Sequence, residues 1–313
     1  MLYKKSVVYV LIAVIAVSAI LLVFQIPAMT KTKANIQSKV AVIYVEGVIM
    51  GGHGQVGILN DQGGTDNIMK QIREARDDQE VKAVVIRVNS PGGSAPASQE
   101  LGEEIQKLRA TGKVVVTSMG DVAASGGYWI AAVSDKIYAN PATLTGSIGV
   151  YIPYSNWEEL YKKIGIQQEK IKSGPYKDIL SPDRPLTVEE RAMVQDMVND
   201  LYEQFVQVVA TGRHMDEVQV RSLADGRVYT GHQAKDLGLV DEYGNLYDAI
   251  DGAAALAGLK PNPDVVEYGK KSPLSMLMGA SSQFNLNKLL FEQVTAENTG
   301  RFPLPLALPE SMR

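Results

Sequence analysis

Val81-Lys82-Ala83-Val84-Val85-Ile86-Arg87-Val88-Asn89-Ser90-Pro91-Gly92-Gly93 is the stretch that decides how this chain folds. Its first eight residues are a nearly unbroken β-branched run. It closes on a Pro-Gly-Gly turn and leads into Ser98–Arg109, where Leu101, Ile105 and Leu108 recur at helical spacing. A strand reads as a continuous apolar run when helices cover both its faces, the condition of parallel β-α-β units. Lys39–Val45 and Lys113–Met119 have the same character, and Ile68, Met69, Ile72 and Ala75 predict a helix over Thr65–Arg76. Short strands are predicted at Lys136–Ala139 and Ser147–Ile152. Thr187 with Glu190 forms a capping box, opening a helix of about 24 residues striped by Met193, Met197, Leu201, Phe205 and Val208 or Val209. That stripe reads as core or subunit contact rather than a cofactor site. The whole predicts an α/β protein with a mostly parallel sheet.

Composition narrows the function. The chain has 313 residues and a net charge of −4, which is no footprint for nucleic acid. With no cysteine there is no disulfide, thiolate nucleophile or Cys-ligated zinc, and His53, His214 and His232 are too scattered for a metal cage. No cofactor is expected. Between Lys5 and Lys31 lie 25 uncharged residues. A helix over the apolar part reaches about 28 Å, close to a hydrocarbon core of about 30 Å. This predicts a short flank at 1–5, an anchor at 6–28 and a linker at 29–38. A folded domain follows at 39–260, then a partly extended arm at 261–313 containing Pro303, Pro305 and Pro309. The run is longer than the apolar core of a cleaved signal. Lysines on its two sides nearly balance, so charge does not set its orientation.

Two glycine pairs mark candidate chemistry. Gly92-Gly93 follows a strand and precedes a helix, where open α/β sheets place their ligand crevice. A phosphate loop requires Lys and Ser/Thr after the glycines, but Ser94-Ala95-Pro96 stands there. Ala123-Ala124-Ser125-Gly126-Gly127 places Ser125 at the mouth of a helix among small neighbours, with the Gly126 N–H beside it as a candidate oxyanion donor. A serine hydroxyl needs a base to attack a carbonyl. None of the three histidines has an evident acidic partner at a strand end. Lys177, in Ser173-Gly174-Pro175-Tyr176-Lys177-Asp178-Ile179-Leu180, lies in a Gly-Pro turn among apolar side chains. A lysine acts as base only when neutral; moving one from about 10.4 to about 7 takes about 4.6 kcal/mol, within what desolvation supplies. Ser147, in Thr145-Gly146-Ser147-Ile148-Gly149, offers a hydroxyl to orient that amine. Each motif alone also has a plain reading: a tight turn, a small serine in a helix contact, a surface lysine, a serine at the start of a strand.

Taken in order, Asn89-Ser90-Pro91-Gly92-Gly93, Ala124-Ser125-Gly126-Gly127-Tyr128-Trp129, Leu144-Thr145-Gly146-Ser147-Ile148-Gly149 and Ser173-Gly174-Pro175-Tyr176-Lys177-Asp178 resemble the signal peptide peptidase A family of Ser/Lys proteases. Ala224–Gly231 and Ala234–Glu242 add to the likeness, which runs from about residue 39 to 250. The resemblance implies a Clp protease/crotonase-like fold of repeated β-β-α units behind one transmembrane helix. It implies Ser125 as nucleophile, Lys177 as general base and Ser147 as the residue orienting that base. Gly93 and Gly126 become the oxyanion donors, with Gly92 as loop support. It further implies a membrane-tethered homo-oligomeric ring whose sites are shared between subunits, a catalytic domain outside the cytoplasm, and peptide substrates such as remnant signal peptides. Two other readings use the same residues: a crotonase-like acyl-CoA enzyme, and a membrane scaffold with an inactive site.

Overall fold

The computed structural model describes residues 38–56 and 61–269. The expected anchor at 6–28, most of the linker and the arm beyond 269 lie outside the described residues. Among the described residues no helix is long and apolar enough to cross a membrane. Along the chain the elements are β1 (Lys39–Glu46), β2 (Gly54–Val56), β3 (Asp61–Gly63), α1 (Thr65–Asp77), β4 (Val81–Ser90), α2 (Ala95–Ala110), β5 (Val114–Ala124), α3 (Gly126–Ala132), β6 (Lys136–Ala139) and β7 (Leu144–Gly146). Then come α4 (Glu158–Lys163), α5 (Val188–Arg213), α6 (Glu217–Leu223), β8 (Val228–Thr230), α7 (Gly231–Asp236), β9 (Glu242–Tyr243), α8 (Leu246–Leu256) and β10 (Asp264–Glu267).

The main sheet runs β10-β1-β4-β5-β6-β9, every neighbouring pair parallel; β7 adds in parallel to the far end of β5 and pairs antiparallel with β8. Side chains alternate across a strand, and here both sets are apolar. Ala41, Ile43, Val45, Val84, Ile86 and Val88 enter one core, while Val40, Val42, Ala83, Val85 and Val116 enter the other. The first core is closed by α1, α2, α3 and α5; the second is closed by α8 through Ala249, Ile250, Ala253 and Ala254. Two-sided cover is why these strands read as unbroken Val/Ile runs. Burial of Leu101, Ile105 and Leu108, each fully enclosed, contributes about 1.5–3 kcal/mol per side chain.

The structure departs from the sequence expectations at three places. Helix α2 starts at Ala95, because the Ser94 side chain caps it and Pro96 fits its first turn. The strand expected at Ser147–Ile152 is absent: β7 occupies Leu144–Gly146 and stops where Gly146 and Ser147 take φ of 76° and 50°, values outside any strand. The capping box at Thr187 and Glu190 is present, and α5 runs 26 residues, but its stripe is divided. Phe205 and Val209 are core, whereas Met193 and Met197 are exposed.

Candidate active site

Parallel pairing of β5 with β7, with Ala124 opposite Gly146, carries Ser125 and Ser147 out side by side beyond the strand ends. The Ser125 N–H donates to the Gly146 carbonyl at 2.9 Å, and the Ser147 N–H donates to the Arg227 carbonyl at 2.8 Å. Both serines have positive φ. Ser125, at φ 53° and ψ −121°, lies outside even the left-handed helical basin, a conformation costing about 1–3 kcal/mol that persists only where surroundings enforce it. The enforcement is visible. The Ser125 carbonyl accepts from the N–H groups of Tyr128 and Trp129 at 2.8 and 2.9 Å, so α3 pulls the turn shut. That helix is itself fixed, by Trp129 against Phe205 with ring centroids 5.0 Å apart and by the buried Tyr128 hydroxyl donating to the Leu239 carbonyl at 2.9 Å. A sharp strand-to-helix turn of this kind is a known way to present a nucleophilic serine.

Space around the serine turn demands glycine at two positions. A Cβ on Gly92, whose φ is +101°, would stand 2.7 Å from the Ser125 Cβ and 2.8 Å from the Gly126 nitrogen, so this position requires glycine both for its conformation and for space. A Cβ on Gly126 would reach 2.2 Å from the Ser98 Oγ and 3.4 Å from the Gly93 nitrogen, which puts the Gly93 and Gly126 nitrogens in one neighbourhood. Neither N–H finds an acceptor among the described residues. Two unpaired donors beside a hydroxyl can hold a developing oxyanion. Since α3 has only seven residues, these two groups, rather than a long helix dipole, are the stabilising feature.

Ser125, Ser147, Gly92 and Gly93 open into a cleft of about 680 Å³ walled by Val48, Val150, Tyr151, Val198 and Tyr202. Lys177 is not among its lining residues and is exposed. Among the described residues the expected apolar enclosure of that lysine is not formed, since Lys177 is exposed. The segment bearing it is nonetheless firmly tied down. Asp178 accepts from Arg184 at 3.0 and 2.8 Å and from Lys172 at 2.7 Å. Those partners, Arg184 foremost, hold its carboxyl well below the usual carboxylate range. Arg184 also clamps Glu190 at 2.7 and 2.5 Å, and the hydrogen bond from Arg184 takes Glu190 down to about 2. Lys170 pairs with Asp183. Of Lys170, Lys172, Lys177 and Arg184, Lys177 alone has no ion pair or hydrogen-bond partner for its ammonium among the described residues.

The sequence reading missed the cleft walls and Asp225, which lines the cleft and is clamped by Arg227 at 2.7–2.9 Å. Val198 and Tyr202, four apart on α5, were legible as a helical pair, but the stronger Met193–Val209 stripe beside them drew the reading.

A mixed α/β fold that sets a strained serine on a cleft, with the unpaired Gly93 N–H on the same wall and that of Gly126 close behind it, has the framework of a serine hydrolase, and the comparisons make it a serine peptidase. Residues 107–260 match Peptidase family S49. A Synechocystis sp. protein provisionally named protease slr0021 is 39% identical over 271 residues, 86% of this chain and 90% of that one. An Enterococcus faecium protein provisionally named signal peptide peptidase SppA is 40% identical over 230 residues, 74% of this chain and 67% of that one. Protease 4 of Salmonella typhi is 43% identical over 74% of this chain, which spans only 36% of that longer protein. The chain belongs to peptidase family S49, the signal peptide peptidase A family.

Proposed function

We propose that this peptidase is a membrane-anchored endopeptidase in which Ser125 of one subunit is activated by Lys177 of a neighbour, within a homo-oligomeric ring of Clp protease/crotonase-like subunits. One observation carries the reading. The chain's own cleft is lined by a strained serine, the companion Ser147 and the unpaired N–H of Gly93, with the unpaired N–H of Gly126 nearby, while the unpaired lysine stands outside it on an anchored, exposed segment. Neutral Lys177 takes the Ser125 proton as the hydroxyl attacks a peptide carbonyl, and Ser147 orients the amine. The oxyanion rests on the N–H groups of Gly93 and Gly126, with Gly92 keeping the space open. The lysine then protonates the leaving amine, and water releases the acyl-enzyme.

Assembly has physical support in exposed apolar side chains on the lysine-bearing part of the chain: Trp157, Leu160, Ile164, Ile171, Val188 and Met193. Exposed apolar side chains mark an interaction surface where they are contiguous. The apolar cleft walls favour apolar peptides, and the uncharged run at 6–28 supports an anchor that brings the site to membrane-borne substrates such as remnant signal peptides, with the catalytic domain outside the cytoplasm. The test is hydrolysis of an apolar peptide by the full chain in detergent. Ser125→Ala and Lys177→Arg are each expected to abolish turnover, since arginine stays protonated and cannot accept the proton; full activity in either overturns the Ser/Lys reading.

A further inference from the structure

We propose that Arg184 and Lys172 act as positioning residues that hold the Asp178 carboxylate away from the ammonium of Lys177, leaving the base without a counter-ion. The inference rests on the reading of Lys177 as the base and concerns what keeps it usable. A carboxylate on the next residue is a natural partner for a lysine. Adjacent side chains do pair in this chain, as Arg76 does with Asp77 at 3.0 Å. An anion within about 4–6 Å of an ammonium favours the charged form by about 1–3 units, which would disable a general base at neutral pH.

The geometry engages that anion with other cations. Arg184 grips both oxygens of Asp178, through Nε at 3.0 Å and Nη2 at 2.8 Å, and Lys172 adds a third contact at 2.7 Å. The Asp178 side chain is only 10% exposed. Arg184 cannot swing away, because Glu190, with a side chain 2% exposed, holds its other face and is itself fixed in the capping box of α5.

Other charged groups around the segment are engaged too, except Glu169, which is exposed and has no ion pair among the described residues. Asp183 is taken by Lys170; Glu189 lies in the first turn of α5 beside the Thr187 cap. On α4, Glu158 and Glu159 are both held by Lys162 at 2.9 and 3.0 Å. Tyr154, on the segment before α4, donates its hydroxyl to the Arg184 carbonyl. Across the cleft, where the lysine would dock, Asp225 is clamped by Arg227. Asp178 on the lysine's own segment and Asp225 on the cleft wall are thus each held by an arginine.

The experiment measures kcat/KM against pH for the full chain in detergent. Wild type is compared with Lys172→Gln, Arg184→Gln and Arg184→Lys, and with Asp178→Asn alone and combined with each Gln change. Activity needs the neutral amine, so it rises with pH, and a freed carboxylate displaces that rise to higher pH. Arg184→Gln is expected to move the acidic limb up by about one pH unit, roughly tenfold in rate below it. Lys172→Gln should move it less in the same direction, Arg184→Lys little, and adding Asp178→Asn should return the limb to its wild-type position. Lys172 carries a side chain only 30% exposed but at the outer contact, so its series decides the matter if Arg184→Gln does not fold. Activity lost equally at every pH with the limb unmoved, or a limb that Asp178→Asn does not restore, overturns the proposal. If Lys177→Arg remains active, it is the base assignment that fails, and this inference goes with it.

Discussion

Gly93→Ala tests the turn that carries the proposed oxyanion hole. A Cβ there would sit 2.0 Å from the Ile49 carbonyl oxygen and 2.8 Å from its carbon and nitrogen, all backbone atoms. Ordinary contact requires more than an ångström of additional room, so the Gly92–Ser94 turn or the segment at Ile49 must withdraw. Two effects follow. The bonds from the Ile49 N–H to the Gly92 carbonyl (2.9 Å) and from the Ser94 N–H to the Ile49 carbonyl (2.8 Å) stretch; at about 0.5–1.5 kcal/mol each, the fold loses roughly 1–3 kcal/mol. The Gly93 N–H also leaves its place near Gly126, and loss of one oxyanion donor lowers kcat by about 10²–10³. KM should change little, because that donor acts on charge that develops only in the transition state. Steady-state hydrolysis of an apolar peptide and a thermal melt read the two effects separately. Gly51→Ala is the control, since a Cβ there meets nothing within 4 Å and the position has no positive φ. A Gly93→Ala enzyme with kcat within a few-fold of wild type and an unchanged melt refutes this account of the turn.

Two predictions concern the scaffold. Glu104 is buried between α1 and α2, where the bidentate hydrogen bond from Arg73, at 3.0 and 3.1 Å, takes its carboxyl from 4.5 to about 2. Because the folded value is depressed, its stabilisation is complete above about pH 4.5 and fades as pH falls toward 2; Glu104→Gln should lower the urea midpoint at pH 7 and flatten its decline over that window, and an unaltered pH slope contradicts this. Gly212→Ala places a Cβ 2.0 Å from the Ala132 carbonyl oxygen at the contact of α5 with α3. Overpacking of this kind costs about 1–3 kcal/mol and shifts the helix that closes the Ser125 turn, so both the urea midpoint and kcat should fall; an undisturbed midpoint counts against the packing described.

The central strands were legible because helices cover both faces of β1, β4 and β5, leaving an unbroken apolar signal. The far end of β5 was not, since Gly120 and Asp121 interrupt the run although the ladder continues to Ala124. Ser147–Ile152 misled for a related reason: Ile148 and Val150 look like strand residues, but nothing in a serine announces the φ of 50° that ends β7. Ser125, Ser147, Gly92, Gly93 and Gly126 could be named from their motifs, and the parallel register explains why positions far apart in sequence meet. Lys177 could be named but not placed. Its segment follows a long stretch with no sheet pairing to fix it, and the described residues leave Lys177 exposed rather than enclosed.

The central claim, that the reacting serine and lysine come from different subunits, is tested most directly by mixing defects. Full chains carrying Ser125→Ala and full chains carrying Lys177→Ala are each expected to be inactive alone. Co-expressed at equal levels and purified as one assembly, they should recover roughly a quarter of wild-type activity, since each site has about an even chance of an intact serine and of an intact neighbouring lysine in a ring of identical contacts. A mixed assembly as inactive as its parents would place both groups in one chain and contradict the account.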